Sequence, residues 1–102
     1  MKFNKELLQK EFGFKTSRSG GKGGQNVNKV ETKVELLWDV NATDVFSEES
    51  LSRIKTKLAN RINNDGFFSV TAENDRSQLR NKETAVKKAI YLIENSLMVE
   101  KV

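Results

Sequence analysis

The run from Val30 to Val40 constrains the fold most, because apolar or β-branched side chains occupy every second position along it. An extended strand points successive side chains to opposite faces, so this alternation predicts a half-buried β-strand with one face in a core. Trp38 lies on that face, and we expect it in the core rather than on a base-stacking surface. The residues assigned to the core face are Val30, Thr32, Val34, Leu36, Trp38 and Val40.

The other segments predict two more strands and two helices. Phe12 to Arg18 predicts a first strand, and Phe67 to Thr71 predicts a third. Ser47 is expected to cap a helix with an apolar stripe at Leu51, Ile54, Leu58 and Ile62. Polar residues 72–81 lead into a final helix with a stripe at Val86, Ala89, Ile90, Ile93 and Leu97. Residues 1–11 are expected to form one or two helical turns, and residues 98–102 to fray.

These elements predict a single α+β domain over residues 1–102. The order is β-β-α-β-α, with a small mixed or antiparallel three-stranded sheet in two layers and the helices packed on one face. The first two strands are close in sequence, so we expect them to pair antiparallel as a hairpin. The glycine-rich segment 19–26 would then lie at the tip of that hairpin.

The chain of 102 residues contains no Cys and no His, which restricts its chemistry. Disulfides, thiol nucleophiles, Ser-His triads and the usual zinc ligands are excluded, and we expect neither a metal nor a cofactor. No apolar run approaches the roughly 20 residues that a membrane span needs, and the charged N-terminus does not resemble a signal peptide. We therefore expect a cytoplasmic monomer without membrane contact.

Positive charge is concentrated between Lys15 and Lys33, where Glu31 is the only acid. From Val34 to Asp65 the acidic residues outnumber the basic ones. A local positive field favours contact with a phosphate backbone. From charge alone, an ordinary solvated surface is the alternative. The basic residues of the first segment are Lys15, Arg18, Lys22, Lys29 and Lys33.

The segment Ser19-Gly20-Gly21-Lys22-Gly23-Gly24-Gln25-Asn26 predicts a loop, because glycine loses the most backbone entropy on ordering. Its spacing matches neither the phosphate-binding P-loop nor the dinucleotide-binding pattern. Two interpretations remain. The segment is either a tip whose bare backbone approaches a ligand between cations, or a hairpin connection without function.

The run from Ser17 to Val30 resembles the signature of class I peptide chain release factors. It is most similar to that of their short relatives, the ribosome-rescue peptidyl-tRNA hydrolases. A second family-like segment, Arg76-Ser77-Gln78 with Asn81-Lys82, follows in the expected order before the final helix. The resemblance extends from Phe12 to Leu97 and implies the catalytic domain of that family, which carries the Gly-Gly-Gln motif.

This resemblance implies that Gly23, Gly24 and Gln25 promote hydrolysis of the ester between peptide and tRNA on the ribosome. In the family, the backbone N–H of the Gln stabilises the developing oxyanion and its side chain places the water. A carboxamide cannot act as a general base near neutral pH, so proton transfer falls to the substrate or the ribosomal RNA. The Gln is methylated in many members, which implies a methyltransferase acting on Gln25.

The resemblance also implies contacts with large-subunit ribosomal RNA and peptidyl-tRNA. The candidate RNA-binding residues are Arg18, Lys22, Asn26, Asn28, Lys29, Arg76, Gln78 and Arg80. Codon-reading domains do not fit in this length, and the basic C-terminal tail of rescue hydrolases does not follow Leu97. Either the sequence is truncated or a partner supplies ribosome recruitment. The alternative function is a non-catalytic ribosome- or RNA-binding module that retains the fold.

Overall fold

The computed structural model describes residues 3–17 and 32–98. The elements, in chain order, are α1 (Lys5–Lys10), β1 (Phe12–Ser17), β2 (Lys33–Asp39), α2 (Glu48–Lys57), β3 (Phe67–Ala72) and α3 (Gln78–Leu97). Short 3₁₀ turns follow β2 at Val40–Ala42 and α2 at Ala59–Arg61. The predicted order β-β-α-β-α is confirmed, preceded by the predicted N-terminal helical turns.

The three strands form one antiparallel sheet in the order β1-β2-β3. β1 pairs with one edge of β2, with Ser17 opposite Lys33. β3 pairs with the other edge, with Ala72 opposite Val34. The end of β1, the start of β2 and the end of β3 therefore meet at one end of the sheet.

The predicted alternation along β2 is confirmed by burial. Val34, Leu36 and Trp38 are at most 1% exposed, while the side chains between them are partly accessible. Burying this apolar face is the dominant favourable contribution to folding. The helices cover it from one side, and the core residues that they contribute include Leu8, Ile54, Ala85, Ala89, Ile93 and Leu97.

The predicted core position of Trp38 is also confirmed. Its ring makes edge-on contacts with Phe12, Phe46 and Phe68, with centroid separations of 6.5, 5.7 and 6.1 Å. Such edge-to-face arrangements are favourable because the ring edges are positive and the faces negative. Trp38 lies opposite Phe12, at the end of the sheet away from Ser17.

Helix α2 is shorter than its apolar stripe predicts. Ser47 caps it as expected, its Oγ accepting from the Ser50 N–H at 3.2 Å, but the helix ends at Lys57. Leu58 is the C-terminal cap and stays buried. Ile62 has extended backbone angles and bridges to Phe68, so its pairing with β3 overrides the helical pattern.

Smaller corrections concern the strand ends. Val40 is buried but belongs to a 3₁₀ turn, because the Asp39 carboxylate accepts the N–H of Asn41 and turns the chain. Thr32 is only partly buried and precedes β2, and β3 continues to Ala72. The predicted strand positions at Arg18, Val30 and Glu31, and residues 99–102 of the expected frayed end, fall outside the described residues.

Helix α3 begins at Gln78, where the Ser77 hydroxyl accepts the N–H of Arg80 at 3.2 Å. Val86 and Ile90 of the predicted stripe are only partly buried. The predicted burial of Ala89, Ile93 and Leu97 is confirmed, and the rest of the buried face consists of Asn81, Ala85 and Ser96. Within residues 3–17 and 32–98, no helix combines the length and apolar character needed to cross a membrane.

Candidate functional site

The candidate site lies at the end of the sheet where Ser17 is opposite Lys33. Ser17 precedes residues 18–31 and Thr32 follows them, so this segment leaves and rejoins the described domain at that end. The predicted catalytic residues and most predicted RNA-binding residues fall within the segment, outside the described residues. They are Gly23, Gly24, Gln25, Arg18, Lys22, Asn26, Asn28 and Lys29.

The other predicted RNA-binding residues are brought to the start of α3. Arg76, Gln78 and Arg80 are exposed there. The Arg80 guanidinium reaches the Asp75 carboxylate at 3.8 Å, and its side chain is 73% exposed. An ion pair this long and this exposed contributes little to stability. The Arg80 guanidinium is therefore accessible to a phosphate.

Asn81 joins this helix start to the chain that enters β2. Its Nδ2 donates to the Thr32 carbonyl oxygen at 2.6 Å and to the Asp75 carbonyl oxygen at 2.9 Å. Its Oδ1 accepts the N–H of Asp75 at 3.1 Å. The side chain is 2% exposed, so its bonds are shielded from water. One amide thus ties together the first turn of α3, the loop before it, and the residue that directly follows segment 18–31.

The next residue along the helix contacts the other flanking strand. Lys82 Nζ lies 4.6 Å from the ring centroid of Phe14 on β1. A cation over an aromatic face is worth about 0.5–1 kcal/mol at an exposed position. The first turn of α3 therefore contacts the described chain just after residues 18–31, through Asn81 and Thr32, and the strand before them, through Lys82 and Phe14.

Sequence reasoning placed Asn81 and Lys82 in the second motif but did not select either as a site residue. A signal for Asn81 was present, because it stands four residues before Ala85, which is followed at the same spacing by Ala89 and Ile93. A polar residue in line with a buried stripe needs hydrogen-bond partners. Its distant partner, Thr32, has no signature in the sequence.

Charge at this end of the described domain is mixed. The basic side chains of Lys15, Lys33 and Lys82 join the arginines of the α3 start, while Glu35 lies in β2 and Glu73 and Asp75 lie in the loop between β3 and α3. No group of three potential metal ligands occurs among residues 3–17 and 32–98. This end can hold the two attachment points of segment 18–31 and can contact phosphates. The described side chains here offer no His or Cys for nucleophilic or general-base chemistry.

A hydrogen-bonded carboxylate lies at the opposite end of the sheet. Glu11 accepts bonds from Trp38 Nε1 at 2.9 Å, from the backbone N–H of Asp44 at 3.0 Å, and from the Thr43 hydroxyl. Burial by itself raises the pKa of Glu11, but these three bonds favour the carboxylate and lower the pKa below its ordinary value of 4.5. Five residues of β1 lie between Glu11 and Ser17, and the strand from Phe12 to Ser17 is about 17 Å long. This carboxylate therefore stabilises the fold and is remote from the candidate site.

Comparison with known protein families gives a match. A family model described as the RF-1 domain matches residues 2–101. The match covers almost the whole chain, including both motifs and the described elements that connect them.

Individual relatives agree with this match. Large ribosomal subunit protein mL62 of Mus musculus is 36% identical over 84 residues, which are 82% of this chain and 41% of that protein. Peptidyl-tRNA hydrolase ArfB of Pseudomonas putida is 36% identical over 78 residues, 74% of this chain and 55% of that protein. Peptide chain release factor 1 of Chloroherpeton thalassium is 40% identical over 55 residues, 54% of this chain and 15% of that protein. The chain thus spans about half of the length of the first two relatives or less.

Proposed function

This chain belongs to the RF-1 domain family of class I release factors, and on that premise we propose that it hydrolyses the ester bond of peptidyl-tRNA on the ribosome. The observation that carries the proposal is the match over residues 2–101, which includes Gly23-Gly24-Gln25 and the α3 start. A relative of 36% identity is named a peptidyl-tRNA hydrolase, which supports the same activity. Residues 1–102 act as one catalytic domain in this proposal.

In the proposed reaction, a water oxygen attacks the ester carbonyl carbon. The bond from that carbon to the terminal ribose oxygen of the tRNA breaks, the ribose oxygen receives a proton, and the peptide leaves with a free carboxyl group. The Gln25 backbone N–H stabilises the developing oxyanion, and its carboxamide positions the water. One oxyanion donor contributes about 3–4 kcal/mol, and positioning of the water contributes several more.

Gln25 cannot remove a proton from water, because a carboxamide does not titrate near neutral pH. The chain contains no His or Cys that would substitute for it. In this proposal the ribosomal RNA and the tRNA itself complete the active site. This is the physical reason for proposing an activity that exists only on the ribosome.

The described domain supports this role by holding the segment and by contacting RNA. Arg76, Gln78 and Arg80 are proposed to contact RNA together with the basic and amide residues of segment 18–31. Phosphate contacts of this kind orient the protein without reading sequence. We further propose that the protein is a cytoplasmic monomer, that Gln25 is a substrate for a Gln methyltransferase, and that a partner contributes to ribosome recruitment.

The test is release of labelled peptide from stalled ribosomes, with and without mRNA beyond the P site. The parent is expected to release peptide, and Gln25→Ala and Gly24→Ala are expected to reduce the rate at least 10²-fold with little change in thermal stability. Release by both variants at the parent's rate would exclude this mechanism.

A second candidate function is a non-catalytic ribosome-binding module. It is favoured by the mouse relative, which is named a large ribosomal subunit protein and matches 82% of this chain. This candidate predicts salt-sensitive binding to ribosomes and no release at any protein concentration. The same assay therefore separates the two functions.

A further inference from the structure

Asn81 occupies a position where packing alone would favour a small apolar residue. Ala85, Ala89 and Ile93 continue its line along α3, and all three are completely buried. An amide in such a place is costly unless it is hydrogen-bonded. Asn81 meets this condition through three bonds, one of which spans 49 positions of sequence to reach Thr32.

The bond to Thr32 holds the chain directly before it enters β2 after segment 18–31. Thr32 directly precedes β2. Its carbonyl oxygen accepts a hydrogen bond from the Asn81 side chain of α3. The same amide holds both the N–H and the carbonyl oxygen of Asp75, which keeps it in one orientation. The attachment point of the segment is thus coupled to a rigid helix of 20 residues.

We propose that Asn81 is a positioning residue for Gln25, acting by holding the Thr32 carbonyl at the point where the described chain resumes after residues 18–31. This inference rests on the proposed hydrolase function. Asn81 does not touch the reacting atoms. Its effect is on geometry, and a misplacement of about 1 Å at a reacting centre can lower a rate about 10²-fold.

The decisive variant is Asn81→Asp. It retains the shape of the side chain and the acceptor for the Asp75 N–H, but it replaces the donors to the Thr32 and Asp75 carbonyls with a carboxylate oxygen. The matched control is Ser96→Ala in the same helix. Ser96 is 3% exposed and donates to the Ile93 carbonyl at 2.7 Å. The two positions are 15 residues apart in the helix, which corresponds to about 22 Å.

Single-turnover peptide release is measured for the parent and both variants across ribosome-saturating concentrations, at a temperature at which thermal melts show each variant folded. Asn81→Asp is expected to lower the saturating rate 10- to 100-fold and to change the half-saturating concentration by less than about twofold. Ser96→Ala is expected to retain the parent's rate within about twofold. A purely structural role for Asn81 predicts that both variants match the parent when folded, and this result would overturn the proposal.

A second variant and a second readout keep the test independent of folding yield and of the proposed activity. If Asn81→Asp does not fold, Asn81→Ser provides a smaller side chain with one donor and is expected to give a partial loss of rate. Amide proton–nitrogen spectra then report on Gly23, Gly24 and Gln25 directly. Their signals are expected to shift in the Asn81 variants and to match the parent in Ser96→Ala.

Different results would contradict the positioning role of Asn81 and the proposed hydrolase function. Unchanged signals at Gly23, Gly24 and Gln25 in the Asn81 variants would overturn the positioning role whatever the activity. Absence of release by the parent, with shifted signals in the Asn81 variants, would remove the hydrolase function and leave the coupling of Asn81 to the loop supported.

Discussion

The carboxylate of Glu11 accepts a hydrogen bond from the indole Nε1 of Trp38 at 2.9 Å, across 27 positions of sequence. This bond connects the C-terminal cap of α1 to the centre of the aromatic core. The same carboxylate receives the Thr43 hydroxyl and the Asp44 N–H. It thereby fastens the N-terminal helix to the loop between β2 and α2.

We predict that Glu11→Gln destabilises the protein by about 1–3 kcal/mol, the usual effect of weakening hydrogen bonds to a charged group. The pKa of Glu11 is lowered in the folded state, so its stabilising contribution is fully present above the unfolded value near 4.5. The contribution is lost as the pH falls from there through the folded-state pKa. Denaturation of parent and variant at pH 7 and pH 3 measures this.

The difference in stability between parent and Glu11→Gln should therefore be large at pH 7 and smaller at pH 3. A difference that stays constant over this range would contradict the assignment. Peptide release at pH 7, measured where both proteins are folded, should be the same because Glu11 is at the opposite end of the sheet from Ser17.

Gly66 and Gly13 allow the effect of adding a Cβ to be compared at a strained and an unstrained backbone position. Gly66 has φ of 85°, and a Cβ there would collide with the side chain of Asn41. We predict that Gly66→Ala destabilises the protein by about 1–3 kcal/mol. A Cβ on Gly13 meets nothing closer than the Leu37 carbonyl at 3.9 Å. Gly13→Ala should therefore be neutral or stabilise by up to about 1 kcal/mol. Equal effects of the two substitutions on the melting temperature would contradict a positive φ at Gly66.

Arg76 and Arg80 should act in binding more than in the chemical step. The variants Arg76→Gln and Arg80→Gln are expected to weaken ribosome binding and to reduce its salt dependence by about one phosphate contact each. The saturating release rate should stay close to the parent's. Stability should change by less than about 0.5 kcal/mol, because both side chains are exposed.

The control for this pair is Arg61→Gln, which removes the same charge from an exposed residue. Arg61 precedes Ile62, which bridges to Phe68 at the far end of the sheet. Co-sedimentation with ribosomes at several salt concentrations provides the measurement. An equal loss of binding in all three variants would indicate a non-specific effect of net charge and not contacts at the α3 start.

Peptidyl-tRNA free in solution should be hydrolysed at close to the background rate by the parent protein. The physical reason is that Gln25 cannot deprotonate water and, in the proposed mechanism, the ribosomal RNA and the tRNA complete the active site. Hydrolysis of labelled peptidyl-tRNA is compared with and without ribosomes. A rate without ribosomes close to the ribosome-dependent rate would mean that the protein carries a complete active site of its own.

Much of the fold could be predicted because the signals are local. The alternation along β2 identifies Val34, Leu36 and Trp38 as core residues, since strand geometry sends every second side chain to the same face. Ser47 caps α2 as predicted because its hydroxyl competes only for the nearest backbone N–H groups. The antiparallel pairing of β1 and β2 follows from their proximity along the chain.

The errors occur where a distant partner outweighs a local preference. Ile62 continues the helical stripe of α2 in sequence, but its pairing with Phe68 draws it into an extended conformation. The final helix buries the face that includes Asn81 and Ala85 rather than Val86, because this face meets the sheet. The conformation of Ile62 and the buried face of α3 depend on which surfaces the rest of the chain places next to them. The spacing of neighbouring residues does not contain this information.

The same distinction between local sequence and tertiary structure applies to the candidate site. The motif Gly23-Gly24-Gln25 and the absence of His and Cys are properties of the sequence by itself, and they determined the kind of chemistry that is open to this protein. The role of Gln25 stays a prediction. Only the tertiary structure decided that Asn81 meets Thr32, because a hydrogen bond across 49 positions depends on how α3 packs against the sheet and not on neighbouring residues.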